Sequence, residues 1–415
     1  MENQLFYPHL EWNSTKKFLL RFAIIFLGPL MILIPSFIGE EFYPWVGSAI
    51  LHLEKPITIF PGGSGDTTYN YVELLTNFVL SLLVASIWSI FNKKEKNYDT
   101  LMHYFLVFCR YYVAFSMFNY GYAKIFYNQF GSPSLWKLVQ PYGESSPMGI
   151  AWTFIGASKP YTMVSGVMEV IAGILLLFRR TSFLGALTAF IVMFNVMLMN
   201  YCYDIPVKIY STQLVLLAFF IMYFNGHNLR LVLFKNSATT PEAYKPLFTK
   251  KWLKISRIII KSVVVVGLIG VDAYIQSDSI ATNGPDAPKT PLYGIHKPTQ
   301  FIKNGDTLRT YSDSAEWKFL VIEWEGMASI RQLNDRSYRL IFNVDTIKKM
   351  VTTNLQSDTT HSYELAYKQL NDTTLNIKGI FMKDTIDYTF GKVNMKSFRL
   401  TNRGFHWVNE YPFNK

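Results

Sequence analysis

Long apolar segments alternate with short polar ones over the first two thirds of the chain. A helix that crosses a bilayer needs ~20 mostly apolar residues. Segments that approach this length predict an all-α polytopic membrane bundle of about seven transmembrane helices, and Pro29 and Pro35 predict a kink or early exit in the first. The segments are Phe18–Ile38, Leu74–Phe91, Leu101–Ala123, Tyr161–Phe178, Ser182–Asn200, Tyr210–Phe224 and Ile255–Tyr274.

Basic residues in the connecting segments alternate from one side of the predicted bundle to the other. The connections rich in lysine and arginine are Lys16–Lys17, Lys93–Lys96, Arg179–Arg180 and Arg230–Arg257. The intervening connections, which carry few basic residues for their length, are Gly39–Glu73, Lys124–Pro160 and Tyr201–Ile209. Cytoplasmic loops of membrane proteins carry the excess of Lys and Arg. We therefore predict a multi-pass protein of the inner membrane with a cytoplasmic N-terminus and a periplasmic C-terminal domain.

The pattern changes after Tyr274. Residues 276–291 are polar and rich in Ser, Asp, Pro and Gly, which is typical of a linker. Short β-prone runs then recur at a spacing near ten residues, so that residues 292–415 predict a mostly-β soluble domain, either an antiparallel sheet or a small barrel. The runs are Lys318–Trp324, Tyr338–Val344, Tyr363–Leu370, Thr374–Phe381, Ile386–Phe390 and Ser397–Leu400. The transmembrane domain would then occupy residues 1–275.

The composition agrees with a membrane protein. Half of the residues are hydrophobic, 17% are charged and the formal net charge is +11. The positive-inside distribution of Lys and Arg accounts for much of this charge. We therefore predict that the protein contacts a lipid bilayer and does not bind nucleic acid. The two cysteines, Cys109 and Cys202, are far apart and form neither a CxxC motif nor a metal-binding spacing. The seven histidines give no HExxH motif and no haem pair, so the sequence predicts no metal site.

Two charged residues fall inside predicted spans. Arg110 lies ~14 Å from the inner end of the third span, and Glu169 lies ~15 Å from Arg179 on the fourth. Charged residues within a membrane mark functional sites, and two opposite charges at the same depth are best hosted as a pair. We therefore predict an Arg110–Glu169 ion pair with a catalytic role. The simpler interpretation, given equal weight, is that the pair only locks two helices, which Gly166 and Gly173 would allow to approach closely.

Polar residues at the outer ends of the spans predict a vestibule above that pair. The candidate ligand-binding residues are Asn119, Tyr120, Lys124, Asn195, Asp204 and, on the glycine-rich loop Phe60–Asn70, Asp66. That loop has backbone donors that could hold an anion, but it lacks the Lys-Ser/Thr ending of a P-loop, which argues against nucleotide binding. We predict that it forms a re-entrant or capping turn over the vestibule. Ser116 and Tyr210 would line the same vestibule. Interfacial snorkelling and an aromatic belt are the preferred explanation for Lys124 and Tyr210, whereas for the asparagines the two explanations have equal weight.

The segment from about Tyr98 to Phe224 resembles the DoxX/DoxD-like membrane family. The matching residues are Arg110, Phe115, Gly121 and Lys124 on one span, followed by the run GVMEVIAGILLLFRRTSFLGAL, which carries Gly166, Glu169, Gly173 and Arg180. The resemblance implies a four-helix core over residues 98–225 and a quinone-linked or thiol/sulfur redox role. It covers about a third of the chain and adds no catalytic cysteine.

Three functions are consistent with these features. The first is a membrane oxidoreductase component that binds a quinone or another lipophilic ligand in the bundle. The second is a non-enzymatic scaffold that presents the C-terminal domain to a membrane or periplasmic protein, because the aromatic segment Gly404–Phe413 suits an interface. A simpler role for that segment is to close the core of its own domain. The third is a transporter, which the absence of visible inverted repeats disfavours.

Overall fold

The computed structural model describes residues 12–31, 36–59, 64–226, 250–284, 287–308 and 316–414. Residues 32–35 of the first predicted span, Phe60–Gly63 of the glycine-rich loop and most of the basic stretch Arg230–Arg257 lie outside the described residues. The helices are α1 (Ser14–Met31), α2 (Ser36–Trp45), α3 (Thr68–Phe91), α4 (Asp99–Ile125), α5 (Leu135–Val139), α6 (Pro147–Gly156), α7 (Lys159–Leu177), α8 (Ser182–Cys202), α9 (Lys208–Asn225), α10 (Lys251–Asn283) and α11 (Arg399–Asn402).

Six helices of the described chain are long and apolar enough to cross a membrane. They are α3, α4, α7, α9 and the ranges Arg179–Cys202 and Lys251–Thr282. The helix at the first predicted span, α1, carries Lys16, Lys17 and Arg21 within its 18 residues. The prediction of a helical region whose helices could span a membrane is confirmed, whereas the count of seven spans stays a prediction.

The chain divides into two compact units that do not follow the sequence order. The first consists of Met1–Gln129 and Pro160–Asp278, and the second of Phe130–Lys159 and Ser279–Lys415. The second unit thus takes in the connection between α4 and α7, which the sequence presented as an ordinary loop. Residues 276–283, predicted as linker, are the last turns of α10, where the side chains of Ser277 and Thr282 donate hydrogen bonds to backbone carbonyls of the same helix.

The helical unit is packed around α4. Its buried side chains, among them Val113, Ala114 and Met117, contact those of α9, including Leu214 and Ala218. Apolar residues of α3 and α10 remain exposed, as expected of helices that face lipid tails.

The second unit is built on a closed barrel of eight antiparallel strands. The strands are β1 (Gly294–Lys303), β2 (Asp306–Leu308), β3 (Trp317–Trp324), β4 (Gly326–Gln332), β5 (Ser337–Asp345), β6 (Met350–Leu355), β7 (Asp358–Asn371), β8 (Thr374–Phe381) and β9 (Asp384–Lys392). Consecutive strands pair from β3 to β9, and β1 closes the barrel by pairing with both β3 and β9, while β2 extends only β1. The turn into β2 is Asn304-Gly305, both at positive φ, as a two-residue hairpin requires.

The predicted C-terminal β domain is therefore confirmed, but one of its predicted strands is wrong. Ser397–Leu400 does not form a strand: the Asn394 side chain accepts a hydrogen bond from the Lys396 backbone amide at 2.9 Å and starts a helical turn. Four strands, β1, β2, β4 and β6, were not predicted, and β4 in particular begins with Gly, Met and Ala rather than β-branched residues.

The barrel interior is filled by alternate residues of its strands. Leu320 and Ile322 of β3, Ile377 of β8 and Tyr388 and Phe390 of β9 all lie in this core. On the outside, Ile295 and Val321 of the neighbouring strands β1 and β3 are buried by Leu135 of α5. The segment between α4 and α7 thus covers one outer face of the barrel.

The C-terminal aromatic segment does not close this core, which corrects the simpler interpretation of Gly404–Phe413. Trp407 is 91% exposed, and Phe405 and Tyr411 are 77% and 84% exposed. Phe405 contacts Trp407 edge to face, and the Arg403 guanidinium lies 4.0 Å from the ring centre of Phe413.

Candidate functional site

The carboxylate of Glu169, on the candidate membrane span α7, is paired with Lys124. The ammonium group of Lys124 donates to Oε1 and Oε2 of Glu169, both at 2.8 Å. Glu169 is 1% exposed and Lys124 is 6% exposed, so neither charge reaches solvent. The predicted Arg110–Glu169 pair is therefore wrong, because the cation that neutralises Glu169 comes from the C-terminal end of α4.

Glycines bring the backbones of α4 and α7 into contact beside this pair. A Cβ atom on Gly166 would lie 2.5 Å from the carbonyl oxygen of Gly121, and one on Gly121 would lie 2.9 Å from the carbonyl oxygen of Gly166. Gly173 approaches the carbonyl of Ala114 in the same way, at 3.1 Å. The predicted close approach is confirmed, and between these two helices the pair acts as a lock. A ligand has to approach it from another side.

Arg110 binds the C-terminal end of α7. Its Nε and Nη2 atoms donate to the carbonyl oxygen of Leu176 at 3.2 and 2.9 Å. Lys261 of α10 donates to the carbonyl of Leu177, and the Thr181 hydroxyl to that of Leu175. The last carbonyls of a helix have no partner within it and carry partial negative charge, so two cations here neutralise the end of α7.

The direction of helical side chains explains why Glu169 pairs with Lys124. Each Cα–Cβ bond tilts toward the N-terminus of its own helix. Because α4 and α7 run antiparallel, the side chains of Lys124 and Glu169 lean toward each other and meet at the level of Gly121 and Gly166. Arg110 leans in the same direction as Lys124, toward the N-terminus of α4, and this takes it away from Glu169 and toward the C-terminal end of α7. Depth counted from Cα positions alone missed this difference.

Aromatic and hydroxyl side chains of α4 and α9 lie beside the ion pair. The ammonium nitrogen of Lys124 lies 5.4 Å from the ring centre of Tyr120, whose ring is 6.0 Å from that of Tyr210. The Tyr210 hydroxyl is 2.8 Å from the Ser116 hydroxyl, which in turn donates to the backbone carbonyl of Tyr112 at 3.0 Å. Of this cluster the sequence singled out Tyr120 as a ligand-binding candidate and placed Ser116 and Tyr210 in the vestibule, but it missed Tyr112. The helical spacing of 112, 116 and 120 on one face was the signal for Tyr112.

A stretch of 117 residues is 38% identical to the uncharacterized protein YwoB of Bacillus subtilis (strain 168) and covers 28% of this chain and 72% of YwoB. The chain belongs to the YwoB family. No family profile and no solved structure matches the chain.

In this member of the YwoB family, two further ligand-binding candidates, Asp66 and Asp204, interact with the N-terminal end of α9. The Asp66 carboxylate accepts hydrogen bonds from the backbone amides of Lys208 and Ile209 at 2.7 and 3.0 Å, which caps the N-terminus of α9. Asp204 is exposed and pairs with the Lys208 ammonium at 2.8 Å. Both acids stabilise the start of α9, and neither contacts the Lys124–Glu169 pair.

The two asparagine candidates lie away from the Lys124–Glu169 pair. Asn119 donates a hydrogen bond of 3.0 Å to Asp272, a carboxylate on the candidate membrane span α10 that was not singled out from the sequence. Asn195 is exposed on α8. The structure therefore gathers Lys124, Glu169 and Tyr120 from the predicted set, and places Arg110, Asp66, Asp204, Asn119 and Asn195 elsewhere. Within the described residues, no group of three or more His, Cys, Asp or Glu side chains is arranged to hold a metal ion.

Proposed function

We propose that the helical unit binds a lipophilic ligand with a polar head, a quinone, beside the Lys124–Glu169 pair, and that the protein is a quinone-linked or thiol/sulfur redox component of the membrane. The observation that supports this most is an ion pair excluded from solvent within a bundle of membrane-spanning helices. Charges at such a position are costly and are kept where a function uses them. The DoxX-like resemblance of about Tyr98–Phe224 implies the same chemistry.

The side chains beside the pair fit a quinone head group. The rings of Tyr120 and Tyr210 offer aromatic faces, and the Tyr120 phenol is a donor suited to a carbonyl oxygen. When bound, a quinone supplies the two-electron, two-proton acceptor that oxidation of a thiol or sulfur donor requires. The donor would be a substrate or a partner protein, since Cys109 is buried and Cys202 lies on another helix.

Each residue of the site has a distinct role under this proposal. Tyr120 orients the head group through its hydroxyl. Lys124 polarises the Tyr120 ring from 5.4 Å, and Glu169 holds the Lys124 ammonium in place. The hydroxyls of Tyr210 and Ser116 extend the hydrogen-bonded cluster away from the pair.

Binding of ubiquinone-1 and menadione to the full chain in lipid nanodiscs tests this proposal by difference spectroscopy. We expect Tyr120→Phe to weaken binding about fivefold to tenfold, the value of one hydrogen bond. Tyr122→Phe is the matched control, because Tyr122 belongs to the same helix but its ring contacts Phe118 and Phe126. Equal affinities for the two variants, or no binding by the unaltered protein, would contradict the proposal.

A second experiment separates ligand binding from helix locking. Replacing both charges by apolar side chains, in Lys124→Met with Glu169→Leu, keeps the two helices in contact because buried ion pairs are replaceable by apolar groups at little cost in stability. We expect this double variant to fold and to lose quinone binding. If it binds quinone as well as the unaltered chain, the pair serves only as a lock.

The exposed aromatic segment supports a second candidate function, a scaffold that presents the barrel unit to a protein partner. Aromatic side chains are enriched at interfaces, and Trp407 and Tyr411 are both more than four-fifths exposed. Removing the whole C-terminal domain is a poor test, because α5 would lose the barrel face that buries Leu135.

Truncation after Arg403 is sharper, since it removes only the exposed segment. A scaffold loses a co-purifying membrane or periplasmic protein upon this truncation but not upon Leu370→Ser, which alters an exposed leucine of β7. Unchanged co-purification would count against the scaffold.

We propose the orientation that the basic connections indicate, with the N-terminus cytoplasmic and the barrel unit periplasmic in the inner membrane. Cys202 is an exposed thiol at the end of α8, whereas Cys109 is buried, so the chain carries one natural labelling site. In cells with a permeabilised outer membrane, an impermeant maleimide should label Cys202 and leave Cys202→Ser unlabelled. Labelling only in inverted vesicles would reverse the orientation.

A further inference from the structure

A cavity of about 310 Å³ opens at one end of the barrel. It lies between the turn that joins β7 to β8 and the segment that leads into β1. Side chains from these two segments and from the adjoining ends of β1, β8 and β9 line the cavity. They include Lys289, Leu292, His296, Leu375 and Lys392. Its volume is in the range of small-molecule sites, which often occur in the mouths of barrels.

The strand register places this lining on the interior face of the barrel. His296 of β1 pairs with Leu320 of β3 and with Lys392 of β9. Leu320 belongs to the barrel core, as does Leu375 of β8. Residues paired across neighbouring strands point to the same side of a sheet, so His296 and Lys392 continue the core outward to its opening.

His296 offers a buried acceptor at this opening. Its side chain is 4% exposed, and Nε2 lies 2.8 Å from the carbonyl oxygen of Leu292, which can only accept, so Nε2 carries the proton. Burial, and to a lesser extent the charge of Lys392, lower the pKa of His296, which keeps the ring neutral. Nδ1 is then an acceptor, and no described residue donates to it.

The mouth also carries positive charge. The Lys392 stem crosses Gly294, where a Cβ would lie 2.8 Å from Cε of Lys392, and the φ of +150° at Gly294 is one that side chains rarely adopt. The lysine is thereby held against the opening. Lys289 lines the same cavity with its ammonium 5.1 Å from the ring centre of Tyr293, while Asp372 is the one acidic residue among the lining groups.

We propose that the mouth of the barrel binds a small organic anion that has an apolar body and an N–H or O–H donor next to its anionic group. The donor bonds to Nδ1 of His296, which leaves the anionic group to Lys392 and the apolar body to Leu292 and Leu375. This site is independent of the quinone proposal, since every residue that forms it belongs to the second unit.

Hippurate (N-benzoylglycinate) is a suitable probe, because it combines a carboxylate, an adjacent amide N–H and a phenyl ring. Calorimetry with the full chain in nanodiscs should give a dissociation constant of about 1 mM or tighter, as its size predicts. O-benzoylglycolate has an ester oxygen in place of the amide and should bind about tenfold more weakly, because the acceptor on His296 is then left unsatisfied.

Two lysine variants complete the test. Lys392→Met should weaken hippurate binding about tenfold or more, since it removes a charged partner. Lys297→Met is the matched control: Lys297 is adjacent to His296 on β1, is exposed and lies on the other face of the strand. Equal binding of hippurate and O-benzoylglycolate would overturn the proposal, as would equal effects of the two lysine variants or a dissociation constant above about 10 mM for hippurate.

Discussion

The two units of the chain each contain a buried cation, but they surround it differently. In the helical unit both members of the pair are shielded, with side-chain exposures of 8% for Lys124 and 1% for Glu169. In the barrel unit Arg331 is fully buried, yet its acidic partners Glu144 and Asp335 are 45% and 46% exposed. Removing one member of the first pair leaves a charge inside the bundle, whereas the partners of Arg331 remain in contact with water. Breaking an ion pair is therefore expected to cost more free energy of unfolding in the helical unit than in the barrel unit.

The helices that carry the first pair also have less freedom to adjust. Gly121 and Gly166 bring α4 and α7 into backbone contact, whereas α5 meets the barrel through side chains such as Leu135. Backbone atoms cannot move aside as the end of a flexible side chain can. We expect the helical unit to respond to substitution at its contact more strongly than the barrel unit does.

The largest effect is expected at the glycine contact. Gly166→Leu places a side chain where Cβ alone would lie 2.5 Å from a backbone oxygen, so that α7 cannot remain against α4. We expect loss of monodisperse protein in gel filtration after detergent extraction. Gly270→Ala in α10 is the control, because among the described residues no atom outside the adjoining helix backbone lies within 4 Å of a Cβ there. A folded Gly166→Leu variant would show that the contact is adjustable.

The next effect is expected at the ion pair. Glu169→Leu leaves the Lys124 ammonium without its carboxylate and should destabilise the unit by about 3–5 kcal/mol. The double variant with Lys124→Met should recover most of that loss, since no charge then remains unpaired. Thermal unfolding in nanodiscs measures both. Equal destabilisation of the single and double variants would mean that the apolar pair fails to pack, and the contrast with Arg331 would lose its basis.

A smaller effect is expected where α5 covers the barrel. Leu135 is 2% exposed against Ile295 and Val321, and Leu135→Ala should cost about 2–4 kcal/mol. Hydrogen exchange should then become faster in peptides of β1 and β3. Leu370→Ala serves as control, because that leucine is 52% exposed. Unchanged exchange would indicate that the segment between α4 and α7 does not stabilise the barrel.

The smallest effect is expected at Arg331. Arg331→Met should cost about 1–2 kcal/mol, because its half-exposed partners can be hydrated instead. The contacts with Lys318 and then Arg331 hold the pKa of Asp335 below its usual range. A depressed pKa stabilises the fold above the unfolded value, near 4, and this contribution is lost as pH falls through the folded value. Between pH 5 and 2, the variant should therefore lose less barrel stability than the unaltered chain does, and a steeper loss would contradict this assignment.

The periodicity of the sequence was sufficient to locate helices and strands, but it was insufficient to predict which residues contact each other between them. Leu101–Ala123 and Thr374–Phe381 were located closely because apolar length and β-propensity are local properties. The pairing of Glu169 depended on side-chain direction between two antiparallel helices, which a count of residues from the membrane boundary does not include. Asp66 was singled out as a ligand-binding candidate, but its carboxylate caps α9 through backbone partners that are 142 and 143 residues away.

The sequence by itself determined a region of long apolar helices that could span a membrane, followed by a β-rich region, because hydrophobic length and alternation are set residue by residue. It also marked Glu169, Gly166 and Gly173 as one face of a helix. Only the tertiary structure decided that Lys124 neutralises Glu169, that Arg110 caps α7 and that Phe130–Lys159 belongs with the barrel. These are contacts between segments distant in the chain, and their geometry arises only when the helices and strands have packed.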